Sequence, residues 1–528
     1  MFYKLVNYNK INMKKGLFLG LMLVVSTMGM AQTPAVQKII KEGTENNQVM
    51  HHLDILTNRF GGRLLGSDAY ENVQVWMQRE FKKWGVNSWT ENCGEMPFGF
   101  NRGPWSGHVI GGDVNFTELN FVTPSFTSGT HGIQRGKVLM EPQNEDQLKK
   151  MKNALKGAWV LVGGSSTGFP IGHSKAIDEQ RAAVKKANAE IDARNQAKRA
   201  EARAKGIRNV ELEPYQEFGG LYYDEMVAAG VLGFIQAAPV PLKCLYDRPL
   251  INEKIVTDFD DLPTVPDIKL DEGQYKEIKR MVQQYKDFEL EFDIRNYWKV
   301  GPIPYSNVIA EIKGTEFPDE YVIVSGHLDA YDAGTGAVDC GVGIGTLMEV
   351  ARLLSMTGEK PKRTIRFMAF AGEEFGIWGA DAYCRQHPDE MDKISNVFHR
   401  DMGIEPPTSL RVHKEMYDDF VKICKDVPVS EEYPFTVEQI APQPKRTALG
   451  GSDNSAFGMR GVPIYEFSCS DCRGINFNYG STMHTNRDTY DKHDKGYAER
   501  SALVTAIVAW NTANLDHMLN RKGMYPTK

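Results

Sequence analysis

The stretch Y-V-I-V-S-G-H-L-D, residues 321–329, is an apolar strand that runs into a histidine and an aspartate. Outward from it, the pattern of strand, loop and helix repeats, with helices at Gly341 to Leu354 and Gly376 to Gln386, strands at Thr364 to Phe370 and Asn396 to Arg400, and finally a strand at Val462 to Phe467 and a helix at Tyr497 to Leu519. This alternation predicts an α/β fold with a mixed, mostly parallel central sheet flanked by helices. In open sheets of this kind, ligands bind at the carboxyl ends of the strands.

Residue types that bind metals lie after these predicted strands, at the start of a predicted helix, and in one loop far downstream. They are His327, Asp329, Asp339, Glu373, Glu374, Asp401 and His484. Each has an ordinary explanation when taken alone: Asp339 could cap a helix, and the two glutamates would be favoured by a helix dipole. Because strand ends bring these residues to one edge of a sheet, separate structural explanations would require a coincidence.

The predicted ligand set fits a catalytic zinc centre. Two histidines, two aspartates and one glutamate, without a thiolate, suit zinc that keeps coordination positions open. If Asp339 bridges two metals, His327 with Asp401 completes one site, and Glu374 with His484 completes the other. A water shared by metals about 3.5–4 Å apart becomes a hydroxide-like nucleophile near neutral pH.

The remaining residues of the cluster are assigned to proton transfer and positioning. Glu373 lies outside the predicted coordination shell and can act as the general base. Asp329, two residues after His327, is placed to hold the second nitrogen of its imidazole. Tyr479 is the candidate oxyanion donor because it precedes His484 by five residues, although a buried structural tyrosine fits the sequence equally well.

These motifs resemble the co-catalytic zinc aminopeptidase family. The resemblance is carried by H-L-D at 327–329, V-D-C-G at 338–341, A-G-E-E at 371–374, a lone Asp401 after a strand, and M-H-T-N-R-D-T at 483–489. It implies a zinc aminopeptidase (phosphorylase/hydrolase-like) fold, two Zn²⁺ per chain on the five ligands above, and Glu373 as base. The early G-G-R-L-L-G-S at 61–67 and an inserted β-rich module point to the carboxypeptidase Q-like branch.

Two features depart from the family pattern. Cys340 follows the bridging aspartate, where many relatives have Asp or Asn, and we expect it to alter packing more than chemistry. The loop G-G-S-D-N at 450–454 resembles the substrate-side loop of the family without a residue-by-residue match.

The sequence texture divides the chain into four predicted segments. Residues 1–31 are a signal peptide, in which Lys14 and Lys15 precede an apolar run that ends in small residues before Ala31. Residues 32–103 and 300–528 form the catalytic peptidase domain, and 104–299 form the inserted protease-associated-like domain. The apolar run is shorter than the ~20 residues needed to cross a bilayer. We therefore expect no membrane span after cleavage, and a periplasmic or secreted protein.

Bulk composition narrows the partners. The 528 residues carry a net charge of −6, without the basic footprint of a nucleic-acid binder. Seven thinly spread cysteines exclude a disulfide scaffold, while the lone C-x-x-C of Cys469 and Cys472 could be a local disulfide or two thiols. Short peptides are the expected partners, and homodimer formation is left open.

The predicted function is therefore an exported di-zinc metallo-exopeptidase, of dipeptidase or aminopeptidase type, that hydrolyses bonds at the ends of short peptides through a metal-bridging hydroxide. The inserted module is expected to close one side of the crevice. Two alternatives stay open: a single-zinc acyltransferase like glutaminyl cyclase, and a non-catalytic binding module on the same fold. The sequence does not decide which peptide terminus is read.

Overall fold

A computed structural model describes residues 32–172, 175–207, 209–248, 251 and 259–526. The predicted signal peptide, residues 1–31, lies outside the described residues. Among the helices that are described, none has both the length and the apolar character needed to cross a membrane.

The helices and strands alternate along most of the chain. The strands are β1 (Asn87–Gly111), β2 (Phe121–Val122), β3 (Gln134–Gly136), β4 (Val138–Met140), β5 (Trp159–Ser165), β6 (Gly233–Ala238), β7 (Asp267–Asp271), β8 (Phe288–Ile312), β9 (Phe317–His327), β10 (Arg363–Phe370), β11 (Ile394–His399), β12 (Pro407–Val412), β13 (Thr436–Gln439) and β14 (Phe467–Cys469). The helices are α1 (Pro34–Glu45), α2 (Val49–Asp54), α3 (Asp68–Lys83), α4 (Glu145–Leu155), α5 (Lys175–Ala204), α6 (Tyr223–Ala228), α7 (Glu272–Gln283), α8 (Val342–Ser355), α9 (Trp378–Gln386), α10 (Lys414–Cys424), α11 (Asn454–Met459) and α12 (Lys495–Ala513).

The larger sheet has the strand order β1-β8-β10-β9-β11, with β3 paired to β8. Strand β9 pairs in parallel with both β10 and β11, whereas β8 pairs antiparallel with β10 and β1. The predicted α/β fold with a mixed sheet is confirmed. Its parallel part consists of β9, β10 and β11, so the carboxyl ends of these three strands meet at one edge.

Helices α8 and α12 cover the larger sheet. They pack against each other and against β9 and β10, and Leu347 and Ile507 lie in the main hydrophobic core. Both helices are buried on nearly every face, as expected of helices enclosed between other elements rather than lying on a surface. Asp494 caps α12 by accepting a hydrogen bond from Tyr497 N, which fixes the start of the helix.

A second sheet, with the order β2-β7-β6-β5-β4, has a hydrophobic core of its own around Trp159, Ile235 and Ile268. The two sheets are linked by β1 and β8, which pair along their length from Asn87 opposite Glu311 to Gly111 opposite Phe288. Both predicted limits of the inserted module, 103/104 and 299/300, fall inside these two paired strands.

The strand predicted at Val462 to Phe467 differs from the structure. Strand β14 covers only Phe467–Cys469 and belongs to a separate three-stranded sheet, β13-β12-β14. Pro463 has no N–H to donate, and the side chain of Asn396 accepts a hydrogen bond from Tyr465 N and donates one to its carbonyl oxygen. The segment is therefore tied to β11 by this side chain and by one main-chain hydrogen bond, from Val397 N to Pro463 O, instead of a regular ladder.

Candidate active site

The predicted metal ligands converge at the carboxyl edge of the parallel strands. Strand β9 ends at His327, which is in register with Phe370 at the end of β10, and β11 ends two residues before Asp401. His327 Nε2 lies 3.1 Å from Asp339 Oδ1 and 3.1 Å from Asp401 Oδ1. His484 Nε2 lies 3.1 Å from Asp339 Oδ2 and 3.0 Å from Glu374 Oε2. Asp339 thus presents one oxygen to each histidine.

The chemistry of these atoms fits metal cations. The main-chain carbonyl of Asp329 lies 2.9 Å from His327 Nδ1, and because a carbonyl only accepts, Nδ1 carries the proton. In the neutral ring, Nε2 then offers a lone pair toward two carboxylates, an arrangement that needs a cation or a second proton. Glu374 Oε1 is buried and has no hydrogen-bond partner among the described residues. Ligand atoms of His327, Asp339 and Glu374 all lie within 4.8 Å of one another.

The electrostatics of the cluster show the same need for positive charge. Burial raises the pKa of Glu374 to about 7, and the neighbouring Asp339 adds to the effect. Burial works against a charged imidazole at His484, yet Glu374 and Asp339 raise its pKa to about 10. Without a cation, the cluster is therefore stabilised by holding protons at neutral pH.

Glu373 faces the cavity beside the ligands, and burial raises its pKa to about 10. The carboxylate of Asp329 accepts hydrogen bonds from the main-chain N–H groups of Glu373 at 3.1 Å and Glu374 at 3.2 Å. It therefore fixes the turn that presents both glutamates.

The oxygen of Asp329 that lies nearest to the His327 imidazole belongs to the main chain and not to the carboxylate. The nearest acceptor to His327 Nδ1 is the main-chain oxygen of Asp329, while its carboxylate oxygen is farther away at 3.7 Å. The physical reason is that the carboxylate is already occupied by two N–H groups of the glutamate turn. Asp329 thus contacts the imidazole chiefly through its backbone.

Tyr479 is brought into the site. Its hydroxyl donates a hydrogen bond to Asp339 Oδ2 at 3.1 Å, and its ring is half-buried. The cavity above the cluster has a volume of about 360 Å³ and is lined by Arg248, Asp339, Glu373, Glu374, Gly376, Ile377, Asp401, Met402, Leu449, Gly450, Gly451, Tyr479, Met483 and His484. His327 and Asp329 are fully buried, and they contact residues that line the cavity.

Two acidic residues at the site had no predicted role. Asp488 accepts hydrogen bonds from the main-chain N–H groups of Val338 and Asp339, and so fixes the backbone of the residue that was predicted to bridge two metals. Asp453 is fully buried, neither of its carboxylate oxygens has a hydrogen-bond partner among the described residues, and its charge acts on Glu373. Asp488 lies in the motif at 483–489, and Asp453 lies in the loop at 450–454. These two motifs are the sequence signals that could have identified them.

Cys340 was expected to affect packing more than chemistry, yet its side chain lies close to the predicted ligands. Its sulfur is within 4.8 Å of ligand atoms of His327 and Asp401, and its thiol donates to the carbonyl oxygen of Arg400 at 3.3 Å. This hydrogen bond is consistent with the packing role inferred from the sequence. Cys469 and Cys472 are both free thiols.

Residues 307–509, which contain every predicted metal ligand, match the sequence model of the family described as Peptidase family M28. The resemblance to zinc peptidases is confirmed. The chain is 29% identical over 335 residues to carboxypeptidase Q of Mus musculus, covering 62% of this chain and 66% of that relative. It is 28% identical over 338 residues to carboxypeptidase Q of Rattus norvegicus, with the same coverage of 62% and 66%. The match thus spans just under two thirds of these curated relatives.

A solved structure with the same fold is the peptidase M28 precursor of Shewanella amazonensis. Its TM-score is 0.56, with 19% sequence identity, over 93% of this chain and 98% of that chain. At this identity the comparison establishes the fold alone, and it extends over both sheets.

Proposed function

We propose that this chain is an exported, two-zinc exopeptidase that hydrolyses the bond next to the end of short peptides. The observation that carries the proposal is the geometry of Asp339, whose two oxygens face two different histidines, each of which has a further carboxylate beside it. This arrangement supports a pair of neighbouring metal sites rather than a single one. The match to a peptidase family supports the reaction class.

The residues present would hold two Zn²⁺ ions, one on His327 and Asp401 and one on Glu374 and His484, with Asp339 shared. Zinc at such sites polarises a peptide carbonyl and lowers the pKa of a water molecule toward ~7. Glu373 takes a proton from the attacking water and delivers it to the leaving nitrogen. Its side chain lines the cavity beside the predicted metal ligands, where it can serve first as the base and then as the acid.

Tyr479 is proposed to assist at the carbonyl oxygen. Its hydroxyl already points at the metal-ligand cluster, where it donates to Asp339. A hydroxyl in this position can donate to the negative charge that develops on the carbonyl oxygen during attack.

The proposed preference for short peptides rests on a chain segment that lies beside the cavity and forms a wall on one side of it. The segment 242–244, which follows β6 of the second sheet, pairs with the loop of His484: Leu242 and Asn486 exchange two hydrogen bonds, and Cys244 N donates to His484 O at 2.8 Å. These contacts support the proposal that the polypeptide following β6 lies against one side of the site. A wall on one side favours peptide ends over the middle of a long chain.

The proposal is tested by hydrolysis of a peptide panel with the zinc-loaded protein beginning at Gln32. The panel contains an unblocked dipeptide, its N-acetyl form, its C-terminal amide, and a long peptide blocked at both ends. We expect cleavage of the unblocked dipeptide and survival of the doubly blocked peptide. Efficient internal cleavage of the blocked peptide would contradict an exopeptidase, and cyclisation of an N-terminal glutamine without peptide hydrolysis would favour the single-zinc cyclase.

A further inference from the structure

Arg248 carries the opposite charge to the carboxylates with which it lines the cavity. Among the described lining residues it is the one Arg or Lys side chain, and it faces the same space as Glu373, Glu374 and Asp401. Its side chain is exposed and forms no ion pair within 4.0 Å with any acidic residue in the described part of the chain. An exposed arginine that lines this cavity, and that has no ion-pair partner among the described residues, is available to bind a ligand.

The position of Arg248 is fixed by the residues just before it. Tyr246 is buried and donates a hydrogen bond through its hydroxyl to the main-chain oxygen of Glu374 at 3.1 Å. Its ring stacks on Phe375 with centroids 4.5 Å apart. Together with the hydrogen bond from Cys244 N to His484 O, these contacts tie the segment 244–246 to the loops of two metal ligands. Arg248 follows two residues later and is held over the cavity.

The charge of Arg248 reaches the His484 side of the site. Burial raises the pKa of the Tyr246 and Tyr331 phenols, and the positive charge of Arg248 opposes this rise at both. The ring of Tyr331 lies 4.4 Å from that of His484. Arg248 lines the cavity together with His484, beside the site proposed for one of the metals.

We propose that Arg248 binds the C-terminal carboxylate of the peptide, so that the enzyme reads the carboxyl end of its substrate. This inference rests on the proposed function and settles the choice of terminus that the sequence left open. A guanidinium can bind a carboxylate through two parallel hydrogen bonds. The carboxylates that line the cavity are those assigned to the metals and to the general base, so none of the described lining residues is left over to bind a free N-terminal amine.

Arg248→Met tests this assignment because methionine keeps the length of the stem and removes the charge. Arg248→Lys retains a charge without the two-pronged geometry. The matched control is Arg79→Met, which removes another exposed arginine, on α3, that does not line the cavity. Each zinc-loaded protein is assayed with an unblocked dipeptide, its N-acetyl form and its C-terminal amide, and zinc content and Tm are measured for each variant.

For the wild type, we expect C-terminal amidation to reduce kcat/KM more than N-acetylation does. Arg248→Met should raise KM for the unblocked and N-acetylated dipeptides by about 10- to 100-fold, the range for loss of a charge-assisted hydrogen bond. It should leave hydrolysis of the amide unchanged, because the amide has no carboxylate to lose. For the unblocked and N-acetylated dipeptides, the KM of Arg248→Lys should lie between those of the wild type and Arg248→Met. Arg79→Met should have the KM of the wild type.

Equal losses on the acid and the amide, or no loss on either, would overturn the role of Arg248. A wild type that tolerates amidation but not acetylation would overturn reading of the carboxyl end while leaving the exopeptidase proposal intact. A zinc-loaded wild type that cleaves none of the short peptides would overturn the proposed function itself, and this inference with it. Unchanged zinc content and Tm in Arg248→Met would show that the losses arise at the substrate.

Discussion

Lys269 in the second sheet and the predicted metal-ligand cluster at the edge of the larger sheet bury charge in opposite ways. In the second sheet, Lys269 on β7 is fully buried, and its ammonium lies 2.9 Å from Asp267 and donates to Gln236 Oε1 at 2.8 Å. At the edge of the larger sheet, the buried carboxylates face histidine nitrogens and one another, with no lysine or arginine paired to Asp339, Glu374 or Asp401 among the described residues. At Lys269 the protein supplies its own cation, whereas the cluster has a place for a cation from outside.

This difference separates a structural ion pair from a functional cluster. A buried charge is tolerated when the protein itself provides the opposite charge with good geometry. A set of buried acceptors without such a partner is stable only with protons or metal ions, and metal binding then couples to both folding and pKa. The variants below should therefore affect metal content in one sheet and stability alone in the other.

Asp339→Ala should have the largest effect. Removing the shared carboxylate takes a ligand from both proposed sites, so we expect loss of both zinc ions and a fall of hydrolysis to background. Asp267→Asn is the matched control, because it removes a buried aspartate of the second sheet and should keep both zincs. Metal analysis by mass spectrometry and a dipeptide assay measure the two outcomes, and an Asp339→Ala protein that retains two zincs would show that this residue is not a bridge.

Glu373→Gln should lower kcat by about 10²- to 10⁴-fold, the usual contribution of a general base. Zinc content should stay at the wild-type value, because Glu373 is outside the proposed ligand set. Glu374→Gln provides the comparison, since it should lose zinc as well as activity. Equal loss of metal from the two variants would mean that the roles of the neighbouring glutamates are assigned wrongly.

Lys269→Met should affect stability alone. It leaves Asp267 buried without its cation, which typically costs about 3–5 kcal/mol of the free energy of unfolding. Urea denaturation in zinc-saturated buffer measures the change, and zinc content should remain at two per chain. If the double variant with Asp267→Asn is no more stable than Lys269→Met, the loss does not come from the uncompensated aspartate.

The sequence predicted the main features of the site because they depend on strand ends. His327 and Asp401 follow parallel strands of one sheet, so the fold alone brings them together. The same rule identified Glu374 after β10. His484 follows no such strand and was found through its motif.

Other features could not be predicted because they depend on contacts between distant parts of the chain. Arg248 reaches the cavity only because the segment 242–246 is bound to Glu374 and to the loop of His484, and no local pattern signals that contact. The carboxylate of Asp329 was assigned to the imidazole because sequence spacing does not show that two N–H groups of the glutamate turn occupy it. The apolar run at 462–467 does not form the predicted strand, because one main-chain hydrogen bond and the side chain of Asn396 join it to β11 in place of a ladder.

The central proposal is that the carboxylates and histidines at the edge of the larger sheet form two neighbouring zinc sites. It is tested most directly by adding zinc stepwise to chelator-treated protein while bound zinc, dipeptide hydrolysis and Tm are recorded on the same samples. We predict that activity reaches its maximum at two zinc ions per chain and that Tm rises as the sites fill, because ligands that bind the folded state stabilise it. Full activity with a single zinc ion per chain would contradict the paired site.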